Sequence, residues 1–420
     1  MIQTMTLLPG ITLRCFPDSR FKQSCLSIQL VRPLAEEEAA MNALIPAVLL
    51  RGCTSAPDLR AITLRLDELY GASVGALVRR VGDYQTTGLH CSFINDRYTM
   101  EAEGLLEPMV EFIRQLLLEP VLQDGVFRAD YVQSEKKNLI STIESQLNDK
   151  RTYATARMLD TMCANDPFGV PRLGRAEQAA KVDAKSLYAH YRKILAGSRI
   201  DILYVGEQSP QRLKELLMPM FAGICRDYCP LSPQTPFRGG EETDKTQTME
   251  VSQGKLVMGF TTPITTRDAD FAAMQVCNTM LGAGMTSKLF MQIREKLSLC
   301  YDIGSGYYGS KGILLVSAGI DSKKDALVRR HIMEQVTACQ DGDITPQELS
   351  AAKEAVCSSL EGTHDSPGAI ESYYASGALS ALELTPADYI RRVQAVSAEA
   401  VAAAARTLHL HTVYFLKGEE

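Results

Sequence analysis

The sequence predicts an α+β protein of two similar halves, each a mainly antiparallel sheet with helices packed on one face, together forming a clamshell. Three observations carry this. Strand-like alternation and helix-like apolar spacing interleave along the chain. The order of elements then repeats: residues 182–206 are mirrored by 396–418, at a spacing near half of the 420 residues. Between the halves, residues 226–248 hold Pro230, Pro233, Pro236, Gly239, Gly240 and a charged run, the composition of an exposed linker. The expected organisation is an N-terminal unit over 1–225, a linker over 226–248 and a C-terminal unit over 249–420.

Each element has a local reason. Residues 22–32 alternate apolar and polar as a strand does. Residues 39–50 have helical spacing, interrupted at Pro46, and Asp58 starts a second helix carrying Ile62, Leu64, Leu66 and Leu69. Strands over 73–82 and 84–95 follow, then helices over 103–118, 126–147 and 151–164. Pro167, Gly169, Pro171 and Gly174 break the pattern before a helix over 183–195 and a strand ending at Gly206. The second half opens on strand-like residues 256–260. It continues with helices over 268–281 and 286–297, strands over 300–308 and 312–320, and helices over 324–339 and 346–360. Leu327, Val328, Ile332 and Val336 form an apolar stripe on the first of these last two.

Composition excludes several classes. Hydrophobic residues are 45% and charged residues 22%, ordinary for a globular protein, and the net charge of −6 comes with no basic stripe for nucleic acid. No apolar run is long enough to span a bilayer, and the N-terminus has no basic region or cleavage site. Eleven cysteines without a framework point to a reducing cytoplasm. Cys225 and Cys229 have no second ligand cluster after them. None of the six histidines has another four residues away, and the pair His409 and His411 reads as polar residues at the start of the last strand. Gly304, Gly306 and Gly309 match a dinucleotide fingerprint, but inside an expected hairpin rather than between strand and helix, so that reading is rejected.

The most informative run is residues 281–301, where a small-residue turn (Gly282, Ala283, Gly284) leads into a helix, with Arg294 and Tyr301 seven residues apart. It resembles the C-terminal half of a pitrilysin/insulinase-type metallopeptidase. The resemblance implies a His-x-x-Glu-His zinc motif on an earlier helix. The run 48–54 resembles the segment after that motif, which places the ligand positions at Ala43 and Ala47 and the general base at Pro46. A methyl group cannot ligate zinc and proline cannot take a proton. Glu135, Lys136 and Lys137 resemble the start of the third-ligand segment, and the ligand position falls on Thr142. Glu144 is nearby but about 200° round the helix.

The resemblance therefore implies the non-zinc-binding partner of a two-chain peptidase. Tyr301 would donate to the oxyanion and Arg294 would hold substrate carbonyls, both in the partner's active site. No cofactor is expected in this chain; zinc is expected in a homologous zinc-bearing subunit, and hydrolysis only with that subunit. The substrate would be a peptide, with the strand over 73–82 as the edge that accepts it. Nucleic acid and membrane are not expected partners, and a homodimer is an option in isolation. The alternative is a catalytically inactive peptide-binding or scaffold protein of the same fold.

Overall fold

The computed structural model describes residues 2–100, 104–237 and 239–418. The first part of the chain forms β1 (Gln3–Leu8), β2 (Ile11–Pro17), β3 (Gln23–Pro33), α1 (Glu36–Leu49), α2 (Leu59–Glu68), β4 (Ser73–Val81), β5 (Tyr84–Ile94) and α3 (Leu106–Leu118). It continues with the short pair β6 (Leu122–Gln123) and β7 (Val126–Phe127), then α4 (Ala129–Ser145), α5 (Lys150–Met162), α6 (Ala176–Ala180), α7 (Ala184–Gly197), β8 (Arg199–Gly206) and α8 (Pro210–Ala222). The later part forms β9 (Thr243–Met249), β10 (Gly254–Thr261), α9 (Phe271–Leu281), a π-helix (Phe290–Lys296), β11 (Cys300–Tyr308) and β12 (Ile313–Ile320). It ends with α10 (Asp325–Asp341), α11 (Pro346–Glu361), α12 (Pro367–Ser380), α13 (Pro386–Gln394), α14 (Ala398–Ala405) and β13 (His409–Gly418).

The duplication is visible in the pairing. One sheet runs β1-β2-β8-β3-β5-β4 and the other β11-β12-β10-β13-β9. Read from β4 and from β11, the neighbours correspond one to one. Both sheets are antiparallel except for one parallel pair each, β2 with β8 and β9 with β13. The extra strand β1 forms a hairpin onto β2. The sequence reading omits this hairpin, and all but the last residue of β9 falls in the expected linker, because both are short and polar on their outer faces.

Two compact units result, and neither is a single stretch of chain. The first takes residues 1–144, 170–233 and 364–376; the second takes 145–169, 234–363 and 377–420. In the first, Leu26, Ile28 and Leu30 of β3 and Leu89 and Phe93 of β5 pack under Leu44 and Val48 of α1, Phe112 and Leu116 of α3, and Tyr191 and Ile194 of α7. The alternate residues Ser27 and Gln29 face the other way and are also buried. There Glu371 of α12 accepts from Ser27 Oγ at 2.7 Å, Gln29 Nε2 at 2.8 Å and Arg79 Nη2 at 2.7 Å. In the second unit the corresponding face is apolar: Ala154, Met158 and Met162 of α5 pack on Val257, Tyr414 and Leu416. A side chain at Gly259 would meet the sulfurs of both methionines. Each sheet thus carries a helix on its second face as well as the helical layer expected on one face.

Pro46 does not interrupt its helix. α1 runs through it, and the Leu50 amide donates to the Pro46 carbonyl at 3.1 Å. Proline gives no N–H to the carbonyl of residue 42. Thr87 Oγ1 supplies it instead, donating to Asn42 O at 2.6 Å. On α2 Ile62 is buried, as is Leu69 just after it, and Leu64 is exposed.

The loop before α6 is fixed by its last glycine. Gly174 has φ +70°, and a Cβ there would lie 2.5 Å from the amide nitrogen of Ala40 in α1. Gly174→Ala should lower stability by about 1–3 kcal/mol, since both the left-handed backbone and the contact oppose a methyl group. A thermal midpoint unchanged from wild type would contradict this.

Candidate functional site

The positions that the resemblance assigns to the zinc motif, Ala43, Pro46, Ala47 and Thr142, lie in the first unit. Ala43 and Pro46 are buried on α1 and Ala47 is half-buried. Thr142 is exposed on α4, where its hydroxyl donates to the carbonyl of Asn138 at 2.8 Å. Arg51 at the end of α1 reaches Glu135 of α4 at 3.2 Å. No group of three or more His, Cys, Asp or Glu that could hold a metal ion occurs among the described residues. Two methyl groups, a pyrrolidine ring and a back-bonded hydroxyl do not fit a tetrahedral zinc ion, and the chain holds no catalytic zinc.

A hydrogen-bond network runs beside those positions. Asn42, one residue before Ala43, donates through Nδ2 to Gln85 Oε1 at 2.8 Å, and its Oδ1 lies 2.7 Å from His190 Nε2. Gln85 Nε2 in turn donates to the carbonyls of Ala39 and Arg172. Because Asn42 Oδ1 can only accept, His190 donates to it through Nε2. Desolvation pushes its pKa down to about 4, with Lys193 and Arg32 acting the same way and Glu38 opposing. A depressed histidine stabilises the fold above its unfolded pKa, and the contribution is lost as pH falls through the folded value. Stability should therefore fall between about pH 6.5 and pH 4, by up to about 3 kcal/mol. His190→Gln should flatten this part of the profile in urea titrations; an unchanged slope would contradict the assignment. The sequence hinted at this network only through Pro46, whose missing donor demanded a substitute at residue 42.

Arg294 and Tyr301 lie in the second unit, on irregular backbone throughout. Arg294 sits on the π-helix, a form concentrated at functional sites. Its guanidinium stacks over the Phe290 ring at 4.6 Å and lies 3.8 Å from Glu295, too far for a hydrogen bond. Ser298 then takes a left-handed φ of +50°. In β11 the register slips: Cys300 pairs with Ile320 and Asp302 with Gly319, so Tyr301 and Asp302 together oppose one residue. A bulge of this kind re-aims a side chain. Tyr301 is 66% exposed and lines a pocket of about 600 Å³ with Ser252, Gln253, Ser322 and Lys323.

The small-residue turn is held from both sides. Ser305 donates through its amide to Gly282 O at 3.0 Å and through its hydroxyl to Asn278 Oδ1 at 2.8 Å. Lys288, buried, pairs with Glu348 at 2.8 Å at the start of α11. Glu348 also closes a capping box with Thr345. Sequence reasoning missed Lys288, Ser305 and Glu348 because they are separated along the chain.

Other candidates do not form sites. Burial and Asp302 push the Cys300 thiol up to about 11, with Arg294 opposing, so it is a poor nucleophile at neutral pH. His411 accepts from the Gly240 amide at 2.9 Å and bonds Thr412 through Nδ1, leaving no nitrogen for a metal. Cys225 and Cys229 are exposed, unpaired thiols. β4 is an edge strand, and Arg172 already donates to its Val78 carbonyl at 2.8 Å. No helix among the described residues is long and apolar enough to cross a membrane.

A family model described as "Peptidase M16 inactive domain" matches residues 181–356. The chain is similar to "Probable inactive metalloprotease YmfF" of Bacillus subtilis (strain 168), with 29% identity over 411 residues, covering 98% of this chain and 96% of that protein. Among solved structures, a conserved protein from Enterococcus faecalis V583 superposes with a TM-score of 0.91 and 28% identity, over 100% of this chain and 99% of that one. A peptidase M16 inactive domain from Pseudomonas fluorescens gives a TM-score of 0.82 at 18% identity, over 100% and 98% of the two chains.

Proposed function

Because the chain belongs to the pitrilysin/insulinase-type peptidase M16 family, in its non-zinc-binding form, we propose that it is one subunit of a two-chain peptidase and acts in a zinc-bearing partner's active site. One observation carries the reading. Hydrocarbon occupies the metal positions on α1, while Arg294 and Tyr301 are displayed on a π-helix and a β-bulge, backbone forms that are frequent at functional sites. Arg294 holds substrate carbonyls with its planar fork of donors, and Tyr301 donates a hydrogen bond to the developing oxyanion. The substrate is a peptide, and the reducing cytoplasm is the compartment that suits eleven cysteines without a disulfide.

The test is to mix the purified chain with a homologous chain carrying His-x-x-Glu-His and follow cleavage of a quenched fluorescent peptide. Hydrolysis should rise on mixing, and Arg294→Ala should raise KM by about tenfold. The competing reading, a peptide-binding or scaffold protein with no part in proteolysis, is supported by the same lost ligands. It would be preferred if mixing left the rate unchanged.

A further inference from the structure

We propose that the glycine-bare face of β11 is a recognition subsite for a carboxylate on an extended peptide, with Arg151 and Lys255 as its ligands. This rests on the peptide-binding reading of Tyr301 and names the chemistry taken beside it. Along β11 the side chains of Ile303, Ser305 and Tyr307 turn inward: Ile303 is buried, Ser305 bonds Asn278, and the Tyr307 hydroxyl donates to Ile264 O at 2.5 Å. Asp302, Gly304, Gly306 and Tyr308 therefore face the other way. Nothing lies within 4 Å of where a Cβ would stand at Gly306, and at Gly304 only the Gly282 carbonyl oxygen at 3.4 Å and Arg151 Nη2 at 3.8 Å do. The result is a strip of open backbone on an edge strand, with Asp302 at one end and Tyr308 at the other.

Charge is unbalanced along this strip. Asp302 lies 3.7 Å from Arg151 and 3.5 Å from Lys255. Both distances exceed the roughly 2.7–2.9 Å of a closed charge-assisted bond. The Arg151 side chain, from the first turn of α5, is 55% exposed. Two cations flank one loosely held carboxylate, so one positive charge is left for an incoming group. Opposite the bulge, Gly319 has no side chain, and its space holds the Asp302 carboxylate and the Lys255 ammonium. The glycine spacing that resembled a nucleotide fingerprint is explained differently here. Gly304 and Gly306 clear a floor on which another chain can lie, and Gly309 makes room for the ring of Phe271.

The carboxylate can be an acidic side chain or a peptide C-terminus, and the experiment separates them. Four fluorescein-labelled octapeptides share one sequence, with Asp or Asn at the centre and a free or amidated C-terminus. Their binding to the full chain is followed by anisotropy. At least one carboxylate-bearing form should bind about tenfold more tightly than the Asn amide, and high salt should shrink the difference. R151Q combined with K255Q should abolish the preference, and D302N should enlarge it by removing the internal competitor. Gly306→Val should weaken all four peptides without moving the thermal midpoint. Equal binding of all four, no binding, or a preference that survives R151Q with K255Q would overturn the proposal. These measurements need no partner and no hydrolysis, so they can fail while the two-chain assay succeeds, or the reverse.

Discussion

In the two-chain assay, Tyr301→Phe should lower kcat by about a hundredfold or more while leaving KM within about threefold. The change removes one oxygen and keeps the ring, so packing at the bulge is preserved. In the proposed role, what would be lost is a hydrogen bond that strengthens only as the carbonyl oxygen becomes an anion. An interaction confined to the transition state appears in kcat rather than in KM. On the proposed roles, Arg294→Ala should show the opposite split, because its contacts would be made with bound peptide in the ground state as well. Tyr301 is exposed in the isolated chain, so neither substitution should change the thermal midpoint appreciably. Full activity in the Phe variant would remove Tyr301 from the chemistry and leave it a surface residue.

Glu371→Ala should be the most damaging single change to stability. The carboxylate side chain is 3% exposed and accepts from Arg79, Ser27 and Gln29, all from the second face of the sheet. Truncation leaves three donors facing a void. Breaking a buried pair by removing one partner costs about 3–5 kcal/mol. The lower end applies here, because the Arg79 side chain is 29% exposed and water can relieve part of the loss. Glu371→Gln keeps an acceptor and should cost about 1–2 kcal/mol. Hydrogen exchange of the β3 and β4 amides, compared between the two variants, is the direct measurement. A loss below about 1 kcal/mol for the Ala variant would show that the pair contributes little.

Much of this was legible in the sequence because period and punctuation report local structure. The strand over 22–32 is given by alternation, and the repeat by the matching ends at Gly206 and Gly418. The expectation that this chain lacks the zinc motif rests on the residue types at 43, 46 and 47. What escaped was set by tertiary context. Pro46 reads as a breaker until Thr87, from a distant strand, supplies the missing donor. Leu64 lies about 200° round the helix from Ile62, and only the Ile62 side of α2 meets the core. The π-helix looks like an ordinary helix over 286–297, since a single wider turn leaves no mark in composition. Asn42, Gln85 and His190 meet only after folding, and Ser27 and Gln29 look like the solvent side of a strand until Glu371 covers them.

The interleaving of the two units has a consequence for biosynthesis. The first unit is not complete until residues 364–376 have been made. At about 5–20 residues per second, the ribosome takes on the order of ten seconds to cover the gap after residue 233. Through that interval Ser27, Gln29 and Arg79 wait without their acidic partner. A gene cut in the linker would yield two fragments, each lacking a helix supplied by the other. Neither fragment should be soluble alone, whereas co-expression should recover both.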